Sequence, residues 1–189
     1  MTDPFDEGGG ALRSWERERE DDVQDFRIFR VRRISARSPR TGRPHPFTVL
    51  ECPDWVNVVA LTKERRLVMI RQFRHGTGRV TLEIPGGVVE AGEAPADAAE
   101  RELREETGYV GGEPILLGAV EPNPAIQTNL CHLYLIEDCS RRAERDLDEG
   151  EDIEVLTAPV EEAFAAVRNG RIRHALVICA LARLEERGV

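Results

Sequence analysis

Glu102, Glu105 and Glu106 stand at i, i+3 and i+4 in a stretch rich in Ala, Leu, Glu and Arg, residue types that favour helix. On one helix face, adjacent members of such a set lie roughly 5–6 Å apart at Cβ, and with no cation among them they repel. An all-oxygen cluster suits a hard divalent ion such as Mg2+, which also bridges to phosphate oxygens. A solvated charged face is the alternative, because Arg101 can pair with Glu105 at i,i+4 and Arg104 lies beside it. Three features favour the metal: the acids face one way, Ile84-Pro85-Gly86-Gly87 makes a rigid turn just before them, and a fourth acid, Glu93, stands at the helix entrance.

The elements that must hold this cluster follow from residue pattern. The helix is expected from about Ala94, with Pro95 in the first turn, where its missing N–H has no helical partner to lose, and Gly108 placed to end it. Gly86 and Gly87 let the preceding backbone turn tightly or approach a ligand. Upstream, the valine-rich run Trp55–Leu61 and the run Leu67–Phe73 read as a central hairpin buried on much of both faces, and Thr81–Ile84 as a short strand. Phe26–Ile34 and Pro46–Glu51, around the turn residues Ser38–Gly42, read as an earlier hairpin.

Downstream, Ile115–Val120 and Leu130–Ile136 are strand-like, separated by the irregular Pro122-Asn123-Pro124. Asp138–Asp152 is expected as a solvated loop and Ile153–Leu156 as a strand, with Glu161–Val167 and Ile172–Leu184 as closing helices. Strands on both sides of one internal helix, followed by helices, pack most economically as a mixed sheet covered by helices, an α/β fold.

Composition limits the function classes. A chain of 189 residues allows one domain with a real core. A net charge of −9 repels a nucleic-acid backbone, so no nucleic-acid partner is expected, and a phosphate substrate needs local arginines or bound cations. Met1–Asp22 carries eight acids against three arginines, −5 of that total, and with Gly8, Gly9 and Gly10 reads as a flexible acidic arm. No apolar run approaches the roughly 20 residues of a membrane span and no basic-then-apolar leader opens the chain, so a cytoplasmic protein with no membrane partner is expected. Cys52, Cys131, Cys139 and Cys179 form no CxxC pair and read as free, mostly buried thiols.

The segment Gly87–Tyr109 resembles the Nudix box, GX5EX7REUXEEXGU. Gly87, Glu93, Arg101, Glu102, Leu103, Glu105, Glu106 and Gly108 match it, and only Tyr109 departs, at a position that is normally aliphatic. The resemblance, which extends over roughly residues 26–187, implies a Nudix α/β/α sandwich with a mixed sheet over residues 53–189. It also implies an N-terminal antiparallel β-hairpin over 23–52 that serves dimerisation, with the arm over 1–22 outside it. It implies Mg2+ or Mn2+ held by Glu102, Glu105 and Glu106 with the Gly86 carbonyl, and gives Glu105 a part in catalysis. Glu93 and Arg101 resemble the pair that braces the box, with Gly87 and Gly108 shaping its ends.

Beyond the box, the run Asp-Glu-Gly-Glu-Asp-Ile-Glu at residues 148–154 resembles the acidic loop of the ADP-ribose pyrophosphatase branch. By position Glu149 corresponds to the general base and Glu151 to a further metal ligand; Asp152 and Glu154 are neighbouring candidates. The reaction implied is hydrolysis of the pyrophosphate bond in ADP-ribose or another nucleoside diphosphate sugar. A Nudix hydrolase of nucleoside triphosphates or dinucleoside polyphosphates, and a non-catalytic ligand-sensing module, are the alternatives. Arg74 matches the branch's diphosphate-binding arginine, with Arg71 placed to join it if the strand end twists. Glu83 and Trp55 are further substrate-contact candidates, Trp55 by stacking on a base or else as core. Pro124, fifteen residues beyond Tyr109, matches a loop that shapes the sugar pocket in this branch, where Glu121, Asn123 and Gln127 can contribute. His75 reads as a loop residue.

Overall fold

The computed structural model describes residues 13–188, without the side chains of residues 21 and 22, and Cα packing divides the chain into two units. The first unit ends at Cys52 and also takes in Ala125–Thr128. Its strands β1 (Glu16–Asp25), β2 (Arg30–Arg37) and β3 (Pro44–Glu51) form an antiparallel sheet in that order. The hairpin expected here is β2–β3, but it begins later than Phe26, because Phe26 and Phe29 stack on each other in the turn before β2. Part of the expected acidic arm, residues 1–12, lies outside the described residues, whereas Glu16–Asp25 is a paired strand. Its acids are the reason: Glu18 pairs with Arg37, and Glu20 with Arg32, so charges that read as solvating in sequence are matched across the ladder.

The second unit holds Pro53–Pro124 and Asn129–Val189. Its strands are β4 (Trp55–Thr62), β5 (Arg66–Arg74), β6 (Arg79–Glu83), β7 (Tyr109–Val110), β8 (Ile115–Val120), β9 (Cys131–Arg141) and β10 (Ile153–Pro159). The path β10-β5-β4-β9-β7 runs across the sheet, with β6 beside β5 and β8 beside β9. β4 and β9 are parallel and the other pairs antiparallel, so the sheet is mixed. Helix α1 (Pro95–Thr107) covers one face; α2 (Val160–Arg168) and α3 (Ala175–Glu186) cover the other.

Alternation along the strands explains the two cores. Val56, Val58, Ala60 and Val68 pack with Ala98, Ala99 and Leu103 of α1. Val59, Leu61, Leu67 and Met69 pack with Ala163, Val177, Leu181 and Leu184 of α2 and α3. β4 and β5 therefore bury both faces, as their continuous apolar text requires. β9 runs five residues past Ile136, into the segment expected as loop. Asp138 has φ 54° and the register with β4 slips there, which returns Cys139 to the same buried face as Ile136. That burial outweighs the local charge.

Candidate active site

The Pro85–Gly87 turn is stitched to β4 by backbone bonds. Val58 N–H donates to Pro85 O at 2.8 Å, Val56 N–H to Gly87 O at 2.9 Å, and Gly87 N–H to Val56 O at 3.1 Å. These bonds take the Pro85 and Gly87 carbonyls and leave that of Gly86 outside the ladder. Both glycines are required by contact. A Cβ on Gly86 would stand 2.2 Å from Val56 O, and one on Gly87 2.3–2.6 Å from the Glu102 carboxylate. The obstacle is backbone in the first case and the tip of a side chain in the second. Gly86→Ala is therefore expected to lower the melting temperature markedly, whereas Gly87→Ala should melt near the wild type. Equal thermal losses would contradict the distinction.

Helix α1 begins at Pro95 and ends at Gly108, which takes φ 74° and donates its N–H to Arg104 O at 2.8 Å. It carries the acids onto the face beside the turn. Glu106 is 3% exposed and accepts the Gly86 N–H at 2.9 Å. Burial pushes its pKa up to about 8; the Gly86 hydrogen bond opposes the rise, and the charges of Glu102 and Glu151 add to it. Glu102 is also raised, first by burial, then by Glu151 and Glu105 against the pull of Arg101. Glu151 thus lies close enough to act on both box carboxylates. Glu149 is exposed, two residues earlier, before the start of β10.

Arg101 is the cation among these groups. Its Nε and Nη2 fork Glu93 at 2.8 and 2.9 Å, and Nη2 also donates to Val88 O at 2.9 Å. Its Nη1 donates to Glu102 at 2.9 Å and Glu105 at 3.3 Å. The fork holds the Glu93 carboxyl down to about 2, well below its ordinary range. Among the described residues no group of three or more His, Cys, Asp or Glu side chains is arranged to hold a metal ion. The donor set nonetheless fits a hard divalent ion: it is all carboxylate oxygen, two of its members are raised by burial and mutual repulsion, and one carboxylate fills the space over Gly87.

At the end of β5, Arg74 donates Nε and Nη2 to the two oxygens of Glu83 at 2.9 and 2.8 Å, and Thr81 Oγ1 donates to Glu83 at 2.5 Å. Glu83 is 2% exposed. Burial alone would raise its pKa, but the Arg74 and Thr81 hydrogen bonds and the Arg74 and His174 charges outweigh that and hold it low. Arg74 feels the charges of Glu106 and Glu151 as well, so its guanidinium lies near the acidic cluster. His174, at the N-cap of α3, places Nε2 3.8 Å from Glu83, and its buried Nδ1 has no hydrogen-bond partner among the described residues. Neither His174 nor Asn57, the buried polar residue of β4 that lies against Gly86, is among the residues expected from sequence. A polar residue inside an apolar strand was the available signal for Asn57; nothing local marks His174.

Other expected contacts are distributed differently. Arg71 does not join Arg74, because residues three apart in a strand face opposite ways; it pairs with Glu154 across β5–β10 at 2.9 Å. Trp55 packs against the core on the α2–α3 side. Glu121, Asn123 and Pro124 lie on an exposed loop after β8. Gln127 belongs to the first unit and donates to Cys52 Sγ at 3.7 Å. His75 is exposed with its ring edge against Phe73, and all four cysteines are free. A cavity of about 390 Å3 opens beside α1, but Arg101 is the only residue it shares with the acidic cluster.

Residues 53–181 match the NUDIX domain family, and the chain belongs to it. It is 34% identical to an ADP-ribose pyrophosphatase of Bacillus subtilis (strain 168) over 145 residues, covering 76% of this chain and 78% of that protein. It is likewise 34% identical to a GDP-mannose pyrophosphatase of Cronobacter sakazakii (strain ATCC BAA-894) over 154 residues, 77% of this chain and 80% of the other. A crystal structure described as an ADP compounds hydrolase superposes with a TM-score of 0.82 at 20% identity, covering 94% of this chain and 95% of that one, and shares the fold.

Proposed function

We propose that the protein hydrolyses the pyrophosphate bond of a nucleoside diphosphate sugar, ADP-ribose foremost, to a nucleoside monophosphate and a sugar phosphate. The observation that carries this reading is the nearness of opposite charge: Glu102 and Glu151 act on Glu106, and Arg74, held by both oxygens of Glu83, lies in the field of Glu106 and Glu151. Relatives named for ADP-ribose and GDP-mannose support the substrate class. Glu102, Glu105, Glu106 and Glu151, with the Gly86 carbonyl, would hold Mg2+ or Mn2+. Such ions neutralise charge on the non-bridging oxygens and make water a better nucleophile.

The remaining steps belong to the chain's own groups. Arg74 binds a diphosphate oxygen and orients the scissile bond. Glu149 accepts the proton of the attacking water, and its exposed loop position lets it move onto that water when substrate binds. Glu93 and Arg101 keep the turn and helix in register. Glu121, Asn123 and Pro124 contact the sugar.

Incubating the purified protein and Mg2+ with ADP-ribose, GDP-mannose, UDP-glucose, ATP and a diadenosine polyphosphate, with product identification, tests the assignment. Rapid ATP turnover with inert sugar nucleotides would overturn it. In the same reading two copies associate through the β1–β3 sheet, which exposes Phe47 and, in the turn before β2, Phe26 and Ile28. Sedimentation at micromolar concentration should give a dimer of about twice the 21.2 kDa chain mass; a monomer would refute the association. Among the described residues no helix is long and apolar enough to cross a membrane.

A further inference from the structure

We infer that Glu83 is a positioning residue that acts through Arg74, drawing its guanidinium back along the sheet to the reaction centre, and that it does not touch substrate itself. This rests on the proposed hydrolysis of a nucleoside diphosphate sugar.

The geometry is set by the β5–β6 register. Arg74 lies opposite Arg79 and Ile70 opposite Glu83, so Arg74 and Glu83 stand on the same face but four residues apart along β6. At about 3.3 Å per residue that separation is roughly 13 Å. An unrestrained Arg74 would extend from the strand end, beside the exposed β5–β6 turn. In the structure its side chain instead lies back over the sheet to reach both Glu83 oxygens. Glu83 is three residues before Gly86, so the guanidinium is brought toward the glycine turn and into the field of Glu106 and Glu151.

The two groups differ in what they leave available. Glu83 is 2% exposed, its two oxygens are engaged by Arg74, and one also accepts from Thr81, so it is shielded from a ligand in solvent. Arg74 has 43% of its side chain exposed, and its Nη1 donates to no described residue. A fork held at Nε and Nη2 presents Nη1 in a fixed direction, which lessens the ordering required when a phosphate oxygen arrives. Thr81 fixes the carboxylate in turn.

A double-mutant cycle tests this, using Glu83→Gln, Arg74→Ala and their combination with ADP-ribose and Mg2+. Each single variant is expected to raise KM by roughly 10- to 100-fold, the effect of losing hydrogen bonds to a charged group. The double variant should be no worse than Arg74→Ala, because Glu83 has no role once Arg74 is gone. Effects that multiply would show an independent substrate contact and overturn the inference.

A readout without substrate separates this inference from the proposed activity. In 1H–15N spectra the Arg74 Nε–H, identified by its loss in Arg74→Lys, should be a slowly exchanging signal that collapses in Glu83→Gln. An unchanged signal would overturn the positioning role. Should the wild type leave every sugar nucleotide intact, the proposed function falls and the spectra alone decide the inference. If Glu83→Gln does not fold, Glu83→Asp keeps the buried charge on a shorter arm and should give an intermediate KM and a weakened Nε–H signal.

Discussion

Glu106→Gln is expected to cut Mg2+-dependent turnover by on the order of 10³-fold, the scale seen when a group stabilising transition-state charge is removed, and to stabilise the ion-free protein at neutral pH and above. Both effects have one origin. Glu106 is buried beside Glu102 and Glu151, and its pKa in the fold is pushed up to about 8 from an ordinary 4.5. A carboxyl whose folded pKa exceeds its unfolded value binds more protons folded than unfolded between those two values. Stability from this group is therefore present below the lower value and lost as pH rises toward about 8. The slope contributed by one such proton approaches about 1.4 kcal/mol per pH unit.

A Gln at 106 keeps an oxygen for the Gly86 N–H and carries no charge, so it lacks this slope. Melting temperatures of wild type and variant in EDTA should diverge between pH 5 and pH 8, with the variant higher. Mg2+ should restore the wild type and do little for the variant. The lowered His174 pKa, caused first by burial, favours stability as pH rises, but it is common to both proteins and cancels in the difference. Parallel curves in EDTA would show that Glu106 is not the strained group; retained turnover would remove it from the metal set.

Arg101→Ala carries the second large effect, on the fold of the box. It removes both bonds to Glu93, the bond to Val88 O and the bonds of Nη1 to Glu102 and Glu105. Arg101 and Glu93 side chains are 21% and 16% exposed, so the pair is largely shielded. Removing one partner from such a pair leaves a shielded charge without its complement, at a cost of about 3 kcal/mol. For a chain of this size that is roughly 6–12 °C in Tm. Lysine restores the charge but not the planar fork and should recover only part of the loss.

The pH dependence of the Arg101 effect runs opposite to that of Glu106. Glu93 is held down to about 2 in the fold, chiefly by its Arg101 hydrogen bonds. Its contribution is complete above the ordinary 4.5 and disappears as pH falls toward about 2. The stability gap between wild type and Arg101→Ala, measured by denaturant unfolding, should narrow as pH falls below 4. A gap that persists to pH 2 would mean that the Val88 contact, not Glu93, carries the brace.

Most of the α/β core was legible because its signals are local. Continuous valine-rich text marks β4, the break at Pro85-Gly86-Gly87 marks the turn, and Pro95 and Gly108 mark the ends of α1 at the observed residues. The misread segments depend on partners distant in sequence. β1 is strongly charged and forms because β2 carries matching arginines, and β9 continues through Glu137 and Asp138 because one bulged residue turns Cys139 back into the core.

The site divides along the same line. The chemistry on offer is local: three carboxylates on one helix face and a glycine turn before them, because i, i+3 and i+4 spacing needs only a helix to become geometry. Tertiary structure alone decided which charges meet. It brought Glu151 from the 148–154 loop within reach of Glu102 and Glu106, gave Arg71 to Glu154, bent Arg74 back to a buried Glu83, and set His174 beside that pair. These encounters join residues up to 91 positions apart, as between Glu83 and His174, on different elements. No local pattern encodes them, since they exist only once the sheet has closed its register and the helices have docked.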